Sequence, residues 1–411
     1  MKQTNRWFYA IIGVIINLFA GMVYAWSTLS RPIAAEYPDW TAAQLSLTFT
    51  IVMIMFCVGV MAGGFLGAKF SERTFLMASG VIFLLGFIVA AAATTPIVLY
   101  LGFGILCGFA SGLAYSVVMG SVGKWFPDKQ GAISGVLLMG FGISSFIVGK
   151  VYQAFIDGGT SWRAFFRVFG ILSLVILVIC SFFIKKPGAD FVPPKASAKS
   201  KKWNNPLAME VKTPDMMKRV DFWLYYLWAI LLSAAGMALL SQASAMAREA
   251  GSSVSAGTIA TVVGLISIFN GVGRVILGAG FDKIGRRALM QINNGIFIVA
   301  ILIIMLALKT KSFPLIVVGF IVGGFAYGGI TPTNSAYVSS YFGLQNYSKN
   351  FSIINTNIII ASFGSVIAGA LYDASQSYIS TCVMMVVLVA LGVLASFGIS
   401  CVNAKMMKDK K

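Results

Sequence analysis

The chain has 411 residues, of which 58% are hydrophobic and only 11% charged, where a soluble domain carries ~25% charged residues. That is the composition of a polytopic membrane protein, and domain counts based on soluble chain lengths do not apply. The net charge of +18 gathers in short links between apolar runs, a positive-inside pattern that excludes a nucleic-acid footprint.

Apolar stretches long enough for a ~30 Å hydrocarbon core recur along the chain. The first six expected spans are Trp7–Leu29, Leu45–Ala68, Phe75–Ala93, Ile97–Val122, Gly131–Gln153 and Ala164–Ile184. Lys2 and Arg6 precede the first run as in a signal peptide, but the run exceeds the ~7–15 residues of such a core. It is read as a retained first span. Six more follow at Phe222–Ala247, Ala256–Phe281, Ala288–Leu308, Phe313–Ser340, Phe351–Tyr372 and Tyr378–Val402. The expected fold is all-α, with twelve transmembrane helices in two six-helix halves.

Between the halves lies a basic, proline-bearing stretch with Lys185, Lys186, Lys195, Lys199, Lys201, Lys202, Lys212, Lys218 and Arg219. The expected division is therefore residues 1–184, a cytoplasmic linker over 185–220, and residues 221–411. The even-numbered links agree, with Lys69 and Arg73, Lys124 and Lys129, Lys283, Arg286 and Arg287, then the tail Lys405, Lys408, Lys410 and Lys411. Arg31, Arg163, Arg248, Lys309 and Lys311 form a sparser set on the other side. Both termini are then cytoplasmic.

The halves repeat weakly. Gly278-x-x-x-Asp282-Lys283-x-Gly285-Arg286-Arg287 follows the eighth span. The matching place after the second span holds Gly64 to Arg73, with Ala68 where the Asp would stand. A duplicated unit predicts a binding site at the interface of the halves near midplane. This loop motif resembles that of the major facilitator superfamily, as do the six-plus-six layout and the basic central linker. Three further features resemble the oxalate/formate antiporter family, which is related to monocarboxylate transporters. They are "KWFPDKQG" (Lys124–Gly131), the Tyr24-Ala-Trp26-Ser pattern, and Asn270-Gly-x-x-Arg274 in the eighth span.

Arg274 is the residue that asks for a function. A charge at the bilayer centre costs ~2.5–3.5 kcal/mol on insertion scales, and arginine stays protonated. It lies eight residues before Asp282, ~12 Å along a helix, at the limit of snorkelling. The 13 acids all fall in links, tails or ends of the expected spans, so none stands mid-span as a counter-charge. A substrate carboxylate would fit the guanidinium fork bidentately. The other reading is a structural arginine bonded to backbone carbonyls or to Asp282. The resemblance implies the first, because the family uses an arginine at this position for substrate carboxylate.

The same resemblance implies aromatic walls at Tyr24, Tyr115 and Tyr327, each able to offer a ring face and a hydroxyl; packing aromatics are the rival reading. It also marks two departures. Oxalate exchangers of the family carry a lysine where Ile358 stands, which disfavours a dianion. Proton-coupled relatives carry an aspartate where Asn270 stands. Nearby Asn355, Thr356 and Asn357 can bond a substrate hydroxyl or keto oxygen, or serve as interhelical glue. Asn17, Ser27, Ser111, Ser116, Ser241, Gln242, Thr331 and Asn334 are further polar groups on spans expected to line the cavity. The third, sixth, ninth and twelfth spans carry few polar groups and are expected to face lipid. Gly104, Gly108 and Gly112 in the fourth span, and Gly319 and Gly323 in the tenth, predict close helix approach.

The expected function is secondary transport of a small organic monocarboxylate anion, of the lactate, formate, pyruvate or acetate class, by alternating access. Exchange is favoured, because an empty carrier with Arg274 near midplane crosses poorly. Proton-linked symport and oxalate or dicarboxylate exchange are the alternatives. A drug exporter would want a buried carboxylate, and a sensor or channel is disfavoured by the paired halves. An enzyme is not expected, since no nucleophile–base pair can be placed. No metal or cofactor is expected: there is no histidine, and Cys57, Cys107, Cys180, Cys382 and Cys401 form no ligand pattern. They read as packing residues. The expected partners are the carboxylate and the bilayer, with no nucleic acid, and a monomer in a bacterial inner membrane.

Overall fold

The computed structural model describes residues 6–40, 42–67, 69–188, 191, 210–251 and 253–408. Several expectations lie outside them: Lys2, Ala68, the linker lysines Lys195, Lys199, Lys201 and Lys202, and the tail residues Lys410 and Lys411. The side chains of Ser27, Lys405 and Lys408 do too.

Among the described residues, eleven helices are long and apolar enough to cross a membrane, and one of them is a double span. The first six are α1 (Arg6–Glu36), α2 (Ala42–Leu66), α3 (Glu72–Ala91), α4 (Pro96–Trp125), α5 (Gln130–Asp157) and α6 (Trp162–Phe183). A one-turn helix, Thr213–Met217, precedes α7 (Val220–Ala250). Ala256–Thr310 then comprises two helices that meet at a kink at Gly285 (φ 77°, ψ 171°), α8 (256–284) and α9 (286–310). The last three are α10 (Phe313–Phe342), α11 (Tyr347–Ser375) and α12 (Tyr378–Lys408). Twelve spans result among the described residues, as the hydropathy pattern implied.

The boundaries differ from expectation where helices continue past the apolar core. α1 runs to Glu36 rather than Leu29, through Arg31 and Pro32. A composition cut stops at the first charge, whereas the backbone ladder does not. The motif after the eighth span is likewise not a loop. α8 keeps its helical backbone through Asp282, and the link to α9 is Gly285 alone. Its positive φ is the conformation that glycine adopts without a Cβ penalty.

Serine caps start several spans. The hydroxyls of Ser71, Ser161 and Ser255 accept the backbone N–H groups of Thr74, Ala164 and Thr258 at 3.2, 3.2 and 3.3 Å, satisfying donors that a helix start leaves open. Apolar stripes at helical spacing face outward on the supporting spans. They include Val81, Leu85 and Ile88 on α3, Ile171, Val175 and Ile179 on α6, Val299, Leu302 and Leu306 on α9, and Val387, Leu391 and Leu394 on α12. In a bilayer these are lipid contacts.

The chain forms two compact units. The first comprises residues 1–127, 136–194 and 351–353; the second comprises 128–135, 195–350 and 354–411. The first turns of α5 thus belong with the second unit. Inside the first unit, the glycine stripe of α4 lies against α2. A Cβ on Gly108 would stand 2.8 Å from the Val52 carbonyl oxygen, and one on Gly112 would overlap that of Phe56. Side-chain hydrogen bonds to backbone carbonyls tie these helices laterally, including Ser79 to Ala110 at 2.7 Å and Tyr152 to Leu29 at 3.0 Å. Inside the second unit, Tyr225 of α7 stacks on Tyr337 of α10 with centroids 3.7 Å apart, and Trp228 donates to Asn294 of α9 at 3.0 Å. Of the five cysteines, four are buried and Cys401 is exposed.

Candidate functional site

The second unit holds the charged element of the site. Arg274 is buried, with 9% of its surface exposed. Its Nε donates to Oδ1 of Asn270 at 2.8 Å. The two are one helical turn apart, the spacing at which side chains on one face meet. Asn270 therefore fixes the direction of the guanidinium while adding no charge.

Small residues bring α10 up to this stretch of α8. A Cβ on Gly328 would stand 3.0 Å from the Arg274 nitrogen, and one on Gly273 would meet the Phe325 backbone. Tyr327 sits between those two α10 positions. It is half-buried, its ring covers Gly236 of α7, and the Arg274 charge acts on it. Arg274, Asn270 and Tyr327 are thus brought together. α10 also breaks at Gly328–Gly329, four residues before Pro332, which has no N–H to give the Gly328 carbonyl. This irregular backbone is the kind that membrane carriers place beside binding sites.

α11 is interrupted too, at Thr356 and again at Ser362. Thr356 exchanges a hydrogen bond with Tyr226 of α7 at 2.7 Å. Asn357 is fully buried, accepts from Ser233 of α7 at 3.5 Å, and donates to the Ile354 carbonyl. Asn355 is fully buried as well. The interhelical-glue reading of these residues therefore has direct contacts behind it for Thr356 and Asn357.

In the first unit, Tyr24 of α1 and Tyr115 of α4 both turn an edge to Phe141 of α5, at 5.3 and 5.5 Å. Tyr115 is buried and also lies 5.2 Å from Phe56, while Tyr24 is half-buried. Two other expected cavity residues spend their donors on backbone. Asn17 donates to the Leu137 carbonyl at 2.9 Å and Ser111 to that of Ala20 at 2.6 Å. Asn334 accepts from Tyr225 at 2.9 Å, and Ser241 donates to the Ala238 carbonyl at 3.1 Å. Among the described residues no cluster of three or more metal-ligating side chains occurs.

Paired six-helix units, twelve spans and a glycine joint carrying the Asp282 motif are the framework of one large transporter family. A sequence model of that family, the Major Facilitator Superfamily, matches residues 10–358 and again residues 229–405. The chain belongs to the Major Facilitator Superfamily. Among its relatives, the uncharacterized MFS-type transporter YhjX of Escherichia coli K12 is 27% identical over 369 residues, covering 88% of this chain and 86% of that one. The oxalate:formate antiporter of Oxalobacter formigenes is 24% identical over 351 residues, covering 84% and 80%. Human monocarboxylate transporter 11 is 26% identical over 170 residues, covering 41% and 36%. In fold, the proton:xylose symporter XylE superposes with a TM-score of 0.69 at 14% identity, covering 97% of this chain and 95% of that one.

Two long-range contacts were not expected from the sequence. Asp282 accepts from the backbone N–H groups of Gly131 and Ala132, at 2.9 and 2.8 Å. Glu210, in the linker, accepts from those of Leu344 and Gln345, at 3.0 and 2.8 Å. The first joins the two motifs that carried the family resemblance, which was the available signal. The second had none, because an acid in a basic linker looks solvated.

Proposed function

We propose that this superfamily transporter carries a small organic monocarboxylate anion, with Arg274 as the anion anchor. The carrying observation is a nine-tenths-buried guanidinium oriented by a neutral amide, Asn270, on its own helix. An ionised residue at position 270 would compensate the arginine permanently, and the neutral Asn270 does not. Charge-assisted bidentate bonds are the strong ones available to such a group. Tyr327 supplies an apolar ring and a hydroxyl beside it, and Tyr24, Tyr115, Asn355 and Asn357 are assigned to the remaining walls. Support comes also from relatives whose names include an oxalate:formate antiporter and a monocarboxylate transporter.

A monoanion is favoured over a dianion because Ile358 stands where a second cation would be needed. Anion exchange is favoured over uniport, since a charged arginine in the span opposes return of the empty carrier. The protein is assigned to a bacterial inner membrane on its family resemblance, with a monomer as the default state, and both termini are assigned to the cytoplasm on the distribution of Lys and Arg.

The test is ligand-induced thermal stabilisation of purified protein against a panel of mono- and dicarboxylates, with Arg274→Gln beside the wild type. A ligand that binds the native state raises the melting temperature by linkage. Monocarboxylates should stabilise the wild type, and a folded Arg274→Gln should lose the response. Equal stabilisation of both proteins would remove Arg274 from the binding role.

A further inference from the structure

One end of the first unit combines cations and exposed rings in a single patch. The guanidinium of Arg6 lies 4.6 Å from the Phe126 ring centre. Next to Phe126, Trp125 stacks on Tyr9 of α1 at 4.4 Å and donates its Nε1 to the Lys185 carbonyl at 2.7 Å. The chain leaving α6 is thereby fastened beside the start of α1. Phe8 and Phe183 close the same seam edge to face at 6.0 Å. Arg73, at the start of α3, lies 4.0 Å over the ring of Phe182, and Lys186 pairs with Glu72. Four cations, Arg6, Arg73, Lys185 and Lys186, therefore lie at this end of the unit, and of them Lys186 is ion-paired with Glu72.

The surface beside this patch is apolar and exposed. Phe8 is 43% exposed and Phe182 52%, and further along the same two helices Ile11 is 61% and Ile179 49% exposed. Rings at the level of the cations are the depth markers of a membrane interface. The exposed isoleucines beyond them lie at the level of acyl chains. A surplus of positive charge at headgroup level above an apolar seam matches a molecule with an anionic head and hydrocarbon tails. Basic pockets between spans take such headgroups.

We propose that this patch binds the headgroup of an anionic phospholipid, with its acyl chains along the α1–α6 seam. Arg73 and Lys185 contribute the main headgroup charges, while Phe8 and Phe182 set the depth. Lys186 is partly neutralised by Glu72 and contributes less.

The test is native mass spectrometry of the full-length protein after exchange into phosphatidylglycerol or phosphatidylcholine of the same chain length. The variants are Lys185→Gln, Arg73→Gln with Lys185→Gln, and, as a control, Lys283→Gln with Arg287→Gln, an exposed basic pair elsewhere. Wild type and control should retain phosphatidylglycerol over phosphatidylcholine. The Arg73/Lys185 double variant should lose that preference by about 10-fold or more, with Lys185→Gln intermediate. Lys185 meets the fold through its backbone carbonyl, so the single variant keeps the test informative if the double variant unfolds. Unchanged preference in Lys185→Gln and the double variant overturns the proposal. So does an equal loss in the control, which would make the effect one of total charge.

Discussion

The carboxylate of Asp282 and the backbone N–H of Gly131 meet at 2.9 Å, and the neighbouring Ala132 N–H completes a two-point contact at 2.8 Å. Gly131 and Ala132 lie in the first turn of α5, where backbone donors have no partner within the helix. An ionised acid there satisfies two of them and also faces the positive end of the helix dipole.

Asp282→Asn should therefore be destabilising. The amide keeps one acceptor but turns a donor toward an N–H. The expected cost is about 1–3 kcal/mol, read as a lower melting temperature. Faster hydrogen exchange at the Gly131 and Ala132 amides should accompany it. A variant with unchanged melting and exchange would show that the contact contributes nothing.

Asn270→Asp should introduce a pH dependence of ligand binding. The new carboxylate would face Arg274 one turn away, at the 2.8 Å contact the amide now makes. When ionised it pairs with the guanidinium and competes with a substrate anion; when protonated it does not. Monocarboxylate affinity should thus be weakened about 10-fold or more at high pH, given the strength of charge-assisted pairs. It should recover as pH falls through the new group's pKa. Binding isotherms at several pH values, beside a flatter wild-type profile, check the sign.

Ile358→Lys should shift selectivity toward dianions. Position 358 is half-buried on α11, next to the buried Asn357. A second cation there would supply the charge that a dicarboxylate requires. In the thermal-shift panel, oxalate should stabilise this variant more than the wild type, while lactate or acetate should gain less. An unchanged ranking would place Ile358 outside the site.

Glu210→Ala should loosen the start of α11. Glu210 holds the Leu344 and Gln345 amides, and the adjacent Val211 donates to the Phe342 carbonyl at 3.0 Å. Asn350 then donates to the Val211 carbonyl at 3.0 Å and accepts from Thr213 at 2.8 Å. Losing the carboxylate should speed hydrogen exchange at both 344 and 345 by roughly 5-fold or more, on about 1–3 kcal/mol for orphaned donors. Glu210→Gln, which retains an acceptor, should restore part of the protection. Equal exchange in all three proteins would mean that the clip is not formed.

Much of the fold was legible because the bilayer simplifies the problem. Backbone groups in hydrocarbon must be satisfied within the span, so an apolar stretch of sufficient length is a helix. Arg274 stood out by the same logic, as a charge where charges are expensive. What stayed hidden depended on distance along the chain or on backbone detail. Asp282 and Gly131 are 151 residues apart, and periodicity cannot pair them. The single-residue joint at Gly285 looked like a loop because its charges mark a loop by composition. The interruption of α10 did have a signal, Gly328-Gly329-x-x-Pro332. That of α11 did not, since Asn355-Thr356-Asn357 has no residue that forbids a helix.

The joint at Gly285 also bears on how the protein is made. With one residue between α8 and α9, neither helix can settle across the bilayer while the other waits in water. The two must enter as a hairpin. The cost of inserting Arg274, ~2.5–3.5 kcal/mol, is then shared with the apolar α9 rather than borne by α8 alone. During synthesis, Arg274 would be accepted by the membrane on the strength of the helix that follows it.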